Sequence, residues 1–134
     1  MSEGIFKITK DIERAEDLFQ MAQERLKEII TILPKEKYYK ITEEYYEILV
    51  QLMTSLMYSD GYKTLSHVAL IEYVAENNKD LSPNEIKLID TLRKFRHGTV
   101  YYGKKIGSEF LINHEDEIKV IIGKLSKIVK NKIK

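Results

Sequence analysis

The sequence contains no cysteine, which excludes disulfides, thiolate zinc sites, iron–sulfur ligation and a cysteine nucleophile. Proline and glycine are scarce, at 2 and 6 residues, which disfavours turn-rich sandwiches and disordered tracts and favours long helices. An excess of either charge is also missing. The 22 Lys and Arg stand against 21 Asp and Glu, so a net charge of +1 gives no general field for attracting nucleic acid. Any such binding must come from a local patch. No apolar run approaches the ~20 residues that span a bilayer. The opening residues Met1-Ser2-Glu3-Gly4-Ile5-Phe6-Lys7 lack a basic stretch followed by an apolar run, so no signal peptide is expected. The chain therefore reads as cytoplasmic, away from membranes. Its 134 residues suit a single domain, residues 1–134, able to bury a core without staples.

What is present is helical periodicity. Ile8, Ile12, Ala15, Phe19, Ala22, Leu26, Ile29 and Leu33 recur in alternating steps of four and three, an amphipathic stripe opened by Thr9 or Ser2 and stopped by Pro34. A second helix is expected from about Thr42, with Tyr45, Leu49, Leu52, Met53 and Leu56 inward and Gly61 as a left-handed cap. A shorter third helix runs from about Ser66 to Glu76, followed by a loop over 77–80. Ser82, Pro83 and Glu85 form the strongest start signal, a capping box with proline at the first helical position. That fourth helix kinks or ends between Gly98 and Gly103. Asn113, followed by Glu115, Asp116 and Glu117, opens the last helix, and lysines crowd its end. No strand signal is found. The expected fold is all-α: an antiparallel up-and-down four-helix bundle with one additional short helix.

Most familiar chemistry is absent. The glycines form neither a P-loop nor a dinucleotide fingerprint. Thr64, Lys94 and Leu111 stand three positions before His67, His97 and His114, so no Glu-x-x-His motif exists, and neither metal nor cofactor is expected. The unusual segment is Leu92-Arg93-Lys94-Phe95-Arg96-His97-Gly98-Thr99-Val100-Tyr101-Tyr102-Gly103. Arg96 follows Leu92 by four residues and Ile89 by seven, on or beside the buried stripe. A guanidinium there needs a carboxylate, backbone carbonyls or a ligand anion. The bland reading is a snorkelling or ion-paired arginine. His67 reads as a first-turn residue interacting with the preceding loop, and His114 as a solvated neighbour of the last cap. Terminal lysines satisfy the helix end or contact phosphate. In the pairs Tyr38-Tyr39 and Tyr45-Tyr46, one member is expected in the core and the other at the surface or an interface.

The Arg96 segment resembles the signature of the HEPN (higher eukaryotes and prokaryotes nucleotide-binding) superfamily, in which a fourth helix ends in Arg, a polar residue and a short interval before His or Tyr. The stretch Ser59-Asp60-Gly61-Tyr62-Lys63-Thr64-Leu65-Ser66-His67-Val68-Ala69-Leu70-Ile71 is similar to the family's turn at Gly and third-helix start near Ser-His. Helix number, order and length agree along nearly the whole chain; the first and last helices agree only as amphipathic patterns. The resemblance implies a small helical bundle, commonly a homodimer. It implies either a metal-independent ribonuclease built from two Arg-polar-x(n)-His motifs at the interface, or a non-catalytic binder of nucleotide or RNA. It further implies a possible nucleotidyltransferase partner in a toxin–antitoxin or defence module. In such a ribonuclease, Arg stabilises the developing phosphorane charge and His moves the 2′-hydroxyl proton.

The sequence departs from this pattern at one place. Arg96 and His97 match the Arg and polar positions, but Tyr101, Tyr102 and Gly103 stand where the downstream His belongs. An unperturbed tyrosine, with a pKa of about 10, is a poor base at neutral pH. Three readings follow: Tyr101 or Tyr102 bonds to or stacks on a nucleotide, His97 acts from a displaced position, or the motif is degenerate. The favoured expectation is nucleotide or RNA binding through Arg93, Arg96, Tyr101 and Tyr102. The alternatives are cleavage by Arg96 with His97 or Tyr102, and a structural bundle in which Arg96 is an internal ion pair.

Overall fold

A computed structural model describes residues 4–103 and 107–134. The described residues form five helices and two short strands in the order β1 (Ile5–Lys7), α1 (Ile12–Thr31), α2 (Tyr38–Asp60), β2 (Tyr62–Thr64), α3 (His67–Asn77), α4 (Pro83–Tyr102) and α5 (Ser108–Lys132). The protein is mostly helical, as its periodicity requires. No helix among the described residues is long and apolar enough to cross a membrane.

Helix α2 is the spine. Tyr45, Leu49, Leu52, Met53 and Leu56 are fully buried, and so are Tyr46, Ile48 and Met57, so this helix has apolar cover on more than one face. Helices α1, α4 and α5 all pack on it. Contacts of α1 with α2 run in opposite directions: Arg25 meets Glu44, Met21 meets Gln51 and Arg14 meets Tyr58. Those of α2 with α5 run in the same direction, Tyr45 to Glu115 and Asp60 to Lys132. Helices α4 and α5 are antiparallel, with Glu85 on Lys124 and Phe95 edge-on to Phe110 at 4.7 Å.

Several starts and stops follow the local chemistry. Ser82 and Glu85 close the capping box of α4, Ser66 caps α3, and Gly61 ends α2 in the left-handed region at φ 88°. Helix α4 passes through Gly98 and stops at left-handed Gly103. Other expectations are corrected. Asp11, not Thr9, caps α1 by accepting from the Arg14 N–H; Ser2 lies outside the described residues. Helix α5 opens at Ser108 behind Gly107, so Asn113 lies inside it. Strands are present after all: β1 pairs antiparallel with β2, Ile5 opposite Thr64 and Lys7 opposite Tyr62. A three-residue strand carries too short an alternation to register as a pattern. Tyr45 and Tyr46 are both buried, not divided between core and surface.

Candidate functional site

Helices α2, α3 and α4 enclose an open cleft of roughly 330 Å³ lined by Tyr46, Leu65, Ser66, His67, Val68, Arg93, Arg96, His97 and Tyr101. Each wall has a local cause. Strand β2 delivers the chain to Ser66, whose N–H donates to Thr64 Oγ1 while Thr64 donates to the Gly4 carbonyl. Ser66 then caps α3, placing His67 at the first helical position. On α4, Arg96 and His97 follow Arg93 by three and four residues and Tyr101 follows His97 by four, which brings them to one side of the helix.

The polar groups are densely connected. Tyr46 Oη lies 2.7 Å from His67 Nδ1. Arg93 Nε donates to Asp90 at 2.7 Å. Arg96 Nε approaches Glu47 Oε1 at 2.5 Å. That oxygen is buried and accepts no well-directed hydrogen bond, so the contact is an ion pair whose N–H points elsewhere. The Arg96 side chain is 36% exposed and that of Glu47 28%. Arg96 is thus neither fully withdrawn into an internal pair nor free: it is tethered at Nε while lining an open cleft.

Burial and charge set the protonation states. The Tyr46 hydroxyl is pushed up to about 12 by burial, with Arg93 and Arg96 partly opposing. His67 is held below the ordinary imidazole value, first by burial and then by Arg96 and Arg93, against the pull of Glu47. Asp90 is held low mainly by the hydrogen bond from Arg93. A consequence for stability follows from His67. The fold favours its neutral form, so that contribution is complete above the ordinary value of 6.5 and is lost as pH falls below it. Wild type is expected to lose stability between about pH 6.5 and 5 that His67→Gln does not lose. Thermal denaturation of both proteins across that range reads the difference; parallel curves would refute it.

Four of the five residues singled out from sequence meet here: Arg93, Arg96, His97 and Tyr101. Tyr102 does not line the cleft; it is exposed, its ring 5.8 Å from that of His97. His97 stacks nearer to Tyr101, at 4.7 Å. Two residues were missed as site residues, His67 and Tyr46. His67 was expected to contact its preceding loop, but its ring reaches across to α2. The Ser-His start of α3 was the available signal, and its partner lies 21 positions away, beyond any local pattern. His114 is also corrected: it sits half-buried inside α5 against Phe110 and 3.6 Å from Glu117, not solvated beside a cap. Lys124 and Lys132 pair with Glu85 and Asp60.

A larger groove, about 530 Å³, lies near the start of α2 among Ile29, Leu33, Tyr38, Ile41, Tyr45 and Leu111. It brings together neither arginine nor histidine, and its Glu115 is engaged by Tyr45 at 2.6 Å. Size alone favours that groove; convergent chemistry favours the α2–α3–α4 cleft. No group of three or more His, Cys, Asp or Glu is gathered among the described residues as a metal would need. In comparisons with known proteins, no family model matches the chain and no curated protein is significantly similar to it.

Proposed function

We propose that this chain is a HEPN-like domain that binds nucleotide or RNA through the α2–α3–α4 cleft. Its helices would form an antiparallel up-and-down four-helix bundle with α3 as the additional short helix. One observation carries the reading: two guanidiniums and an imidazole converge on an open cleft whose rim includes the rings of His97 and Tyr101. Guanidiniums suit phosphate, and exposed rings suit bases. In this reading the protein is a cytoplasmic homodimer with part of its interface on α4. The highly exposed Leu65 (95%) and the exposed Val68 and Tyr101, which line the cleft, favour an apolar contact at its mouth. A small nucleotidyltransferase would be its partner in a toxin–antitoxin or defence module.

Arg96→Ala is expected to weaken binding of mixed-sequence single-stranded RNA about tenfold, the scale of one charge-assisted contact. Fluorescence anisotropy at fixed salt measures it. Equal affinity of the two proteins would remove the cleft from the binding surface. Metal-independent cleavage is the second reading, favoured by His97 lying next to Arg96 on the cleft wall. RNA cut in EDTA by wild type and not by Arg96→Ala would install it, with His97 and Tyr102 as the next substitutions. Intact RNA with both proteins would retire it.

A further inference from the structure

We propose that His67 is a specificity-determining donor in this cleft: Tyr46 fixes its ring so that Nε2 carries the proton, and that N–H is offered to a phosphate oxygen held by Arg93 and Arg96. The inference rests on the reading of the cleft as a nucleotide or RNA site and assigns a role to a residue outside the Arg96 segment.

The argument begins with a buried hydroxyl. Tyr46 is 1% exposed, and its hydroxyl has one partner among the described residues, His67 Nδ1 at 2.7 Å. If Nδ1 held the proton and donated it, the Tyr46 hydroxyl proton would be buried with nothing to accept it. An unsatisfied buried donor costs about 1–3 kcal/mol. The stable arrangement has Tyr46 donating and Nδ1 accepting, which in a neutral imidazole leaves the proton on Nε2. The groups facing the ring are Tyr46 and Glu47 from α2 and Arg93 and Arg96 from α4, with His97 and Tyr101 further along the cleft. Burial and the two arginines keep the ring neutral against the single opposing charge of Glu47.

Nε2 has no partner among the described residues. Each arginine is held at its Nε, by Asp90 or by Glu47, and no hydrogen bond engages the terminal nitrogens of either among the described residues. The cleft therefore offers N–H donors from three side chains, with the acceptor nitrogen of His67 already used. Such a site suits a group that only accepts, as the non-bridging oxygens of a phosphodiester do. The same tautomer leaves His67 without a free lone pair toward the cleft, so it positions a phosphate and is not a general base.

Two measurements on the full chain test this. Long-range nitrogen–proton correlation spectra at neutral pH, with His67 assigned by its loss in His67→Gln, should show one neutral tautomer protonated at Nε2. In Tyr46→Phe the ring should become a tautomer mixture. A ring protonated at Nδ1, or charged, at neutral pH overturns the proposal. In the RNA anisotropy assay, His67→Ala should weaken binding about tenfold. His67→Gln, whose amide N–H₂ reaches near the place of Nε2, should stay within about threefold of wild type. His67→Asn, which is shorter, should not. Circular dichroism of the Gln and Phe variants, which retain volume, confirms the fold. Binding that falls in Arg96→Ala but is unchanged in His67→Ala overturns the role of His67 and leaves the cleft standing. No binding by wild type, or binding indifferent to Arg96→Ala, overturns the cleft reading and this inference together.

Discussion

Leu52→Ala is expected to lower the unfolding free energy by about 3 kcal/mol, within a range of roughly 2–5. Leu52 is fully buried in the middle of α2, the helix on which α1, α4 and α5 all pack. Removing its outer carbons loses their transfer energy and leaves a void. Three surrounding helices cannot all move inward to fill it, so the cavity term persists. Against a total stability of about 5–15 kcal/mol, the loss is a large fraction. Urea denaturation should show a lower midpoint with an unchanged slope. Val120→Ala, at an exposed position of α5, is the control and should change stability by less than about 0.5 kcal/mol. A Leu52→Ala effect as small as the control would deny α2 its role as the spine. The cleft would feel the loss too, because α2 carries Tyr46 and Glu47 into it.

The second large effect belongs to a glycine. Gly61→Ala is expected to destabilise by about 2–3 kcal/mol, whereas Gly123→Ala should stabilise by up to about 1. Gly61 stands at φ 88°, and a Cβ there would lie 3.1 Å from the Ile8 carbonyl oxygen. The left-handed conformation accounts for about 1–2 kcal/mol. The crowding accounts for the rest, since the neighbour is backbone and itself bonded: the Ile8 N–H donates to the Gly61 carbonyl at 2.8 Å. The segment from β1 to the cap of α1 is thus pressed against the end of α2. Gly123 has ordinary helical backbone and open space around its Cα. The pair of substitutions is chemically identical, so opposite signs in one denaturation series isolate the backbone. Two effects of the same sign would contradict this account.

The elements legible in the sequence are those whose signals are local. Ser82, Pro83 and Glu85 lie within four residues; Ser82 and Glu85 satisfy each other's backbone N–H groups and Pro83 has none to satisfy, so the start of α4 could be read directly. Gly61 was legible for the same reason. The start of α5 was not. Gly107 caps it without a side chain, and the acids at 115–117, which resemble a first turn, lie two turns further on. The tyrosines failed differently. The rule that one of two adjacent helical residues faces solvent assumes one buried side, but α2 is packed by α1, α4 and α5, so Tyr45 and Tyr46 both go inward. Each then needs a polar partner, and Glu115 and His67 supply them. Arg93, Arg96, His97 and Tyr101 share one helix and were found together. His67 comes from another helix, and no spacing in the chain records that the two approach.

The way the arginines are held has a consequence for encounter. Arg93 sits beside Asp90 and Arg96 beside Glu47, so each positive charge at the cleft has a negative charge within 3 Å of it. Paired charges make dipoles, whose field falls off faster with distance than that of a lone ion. At physiological salt, where screening acts over about 8 Å, little attraction reaches beyond the cleft mouth. In the proposed reading an anion is therefore drawn only weakly from bulk solution by these two pairs, and association is expected to approach the slower, unsteered rates of neutral partners. In that reading discrimination falls to the time a bound group stays, because the terminal N–H groups would act only at contact.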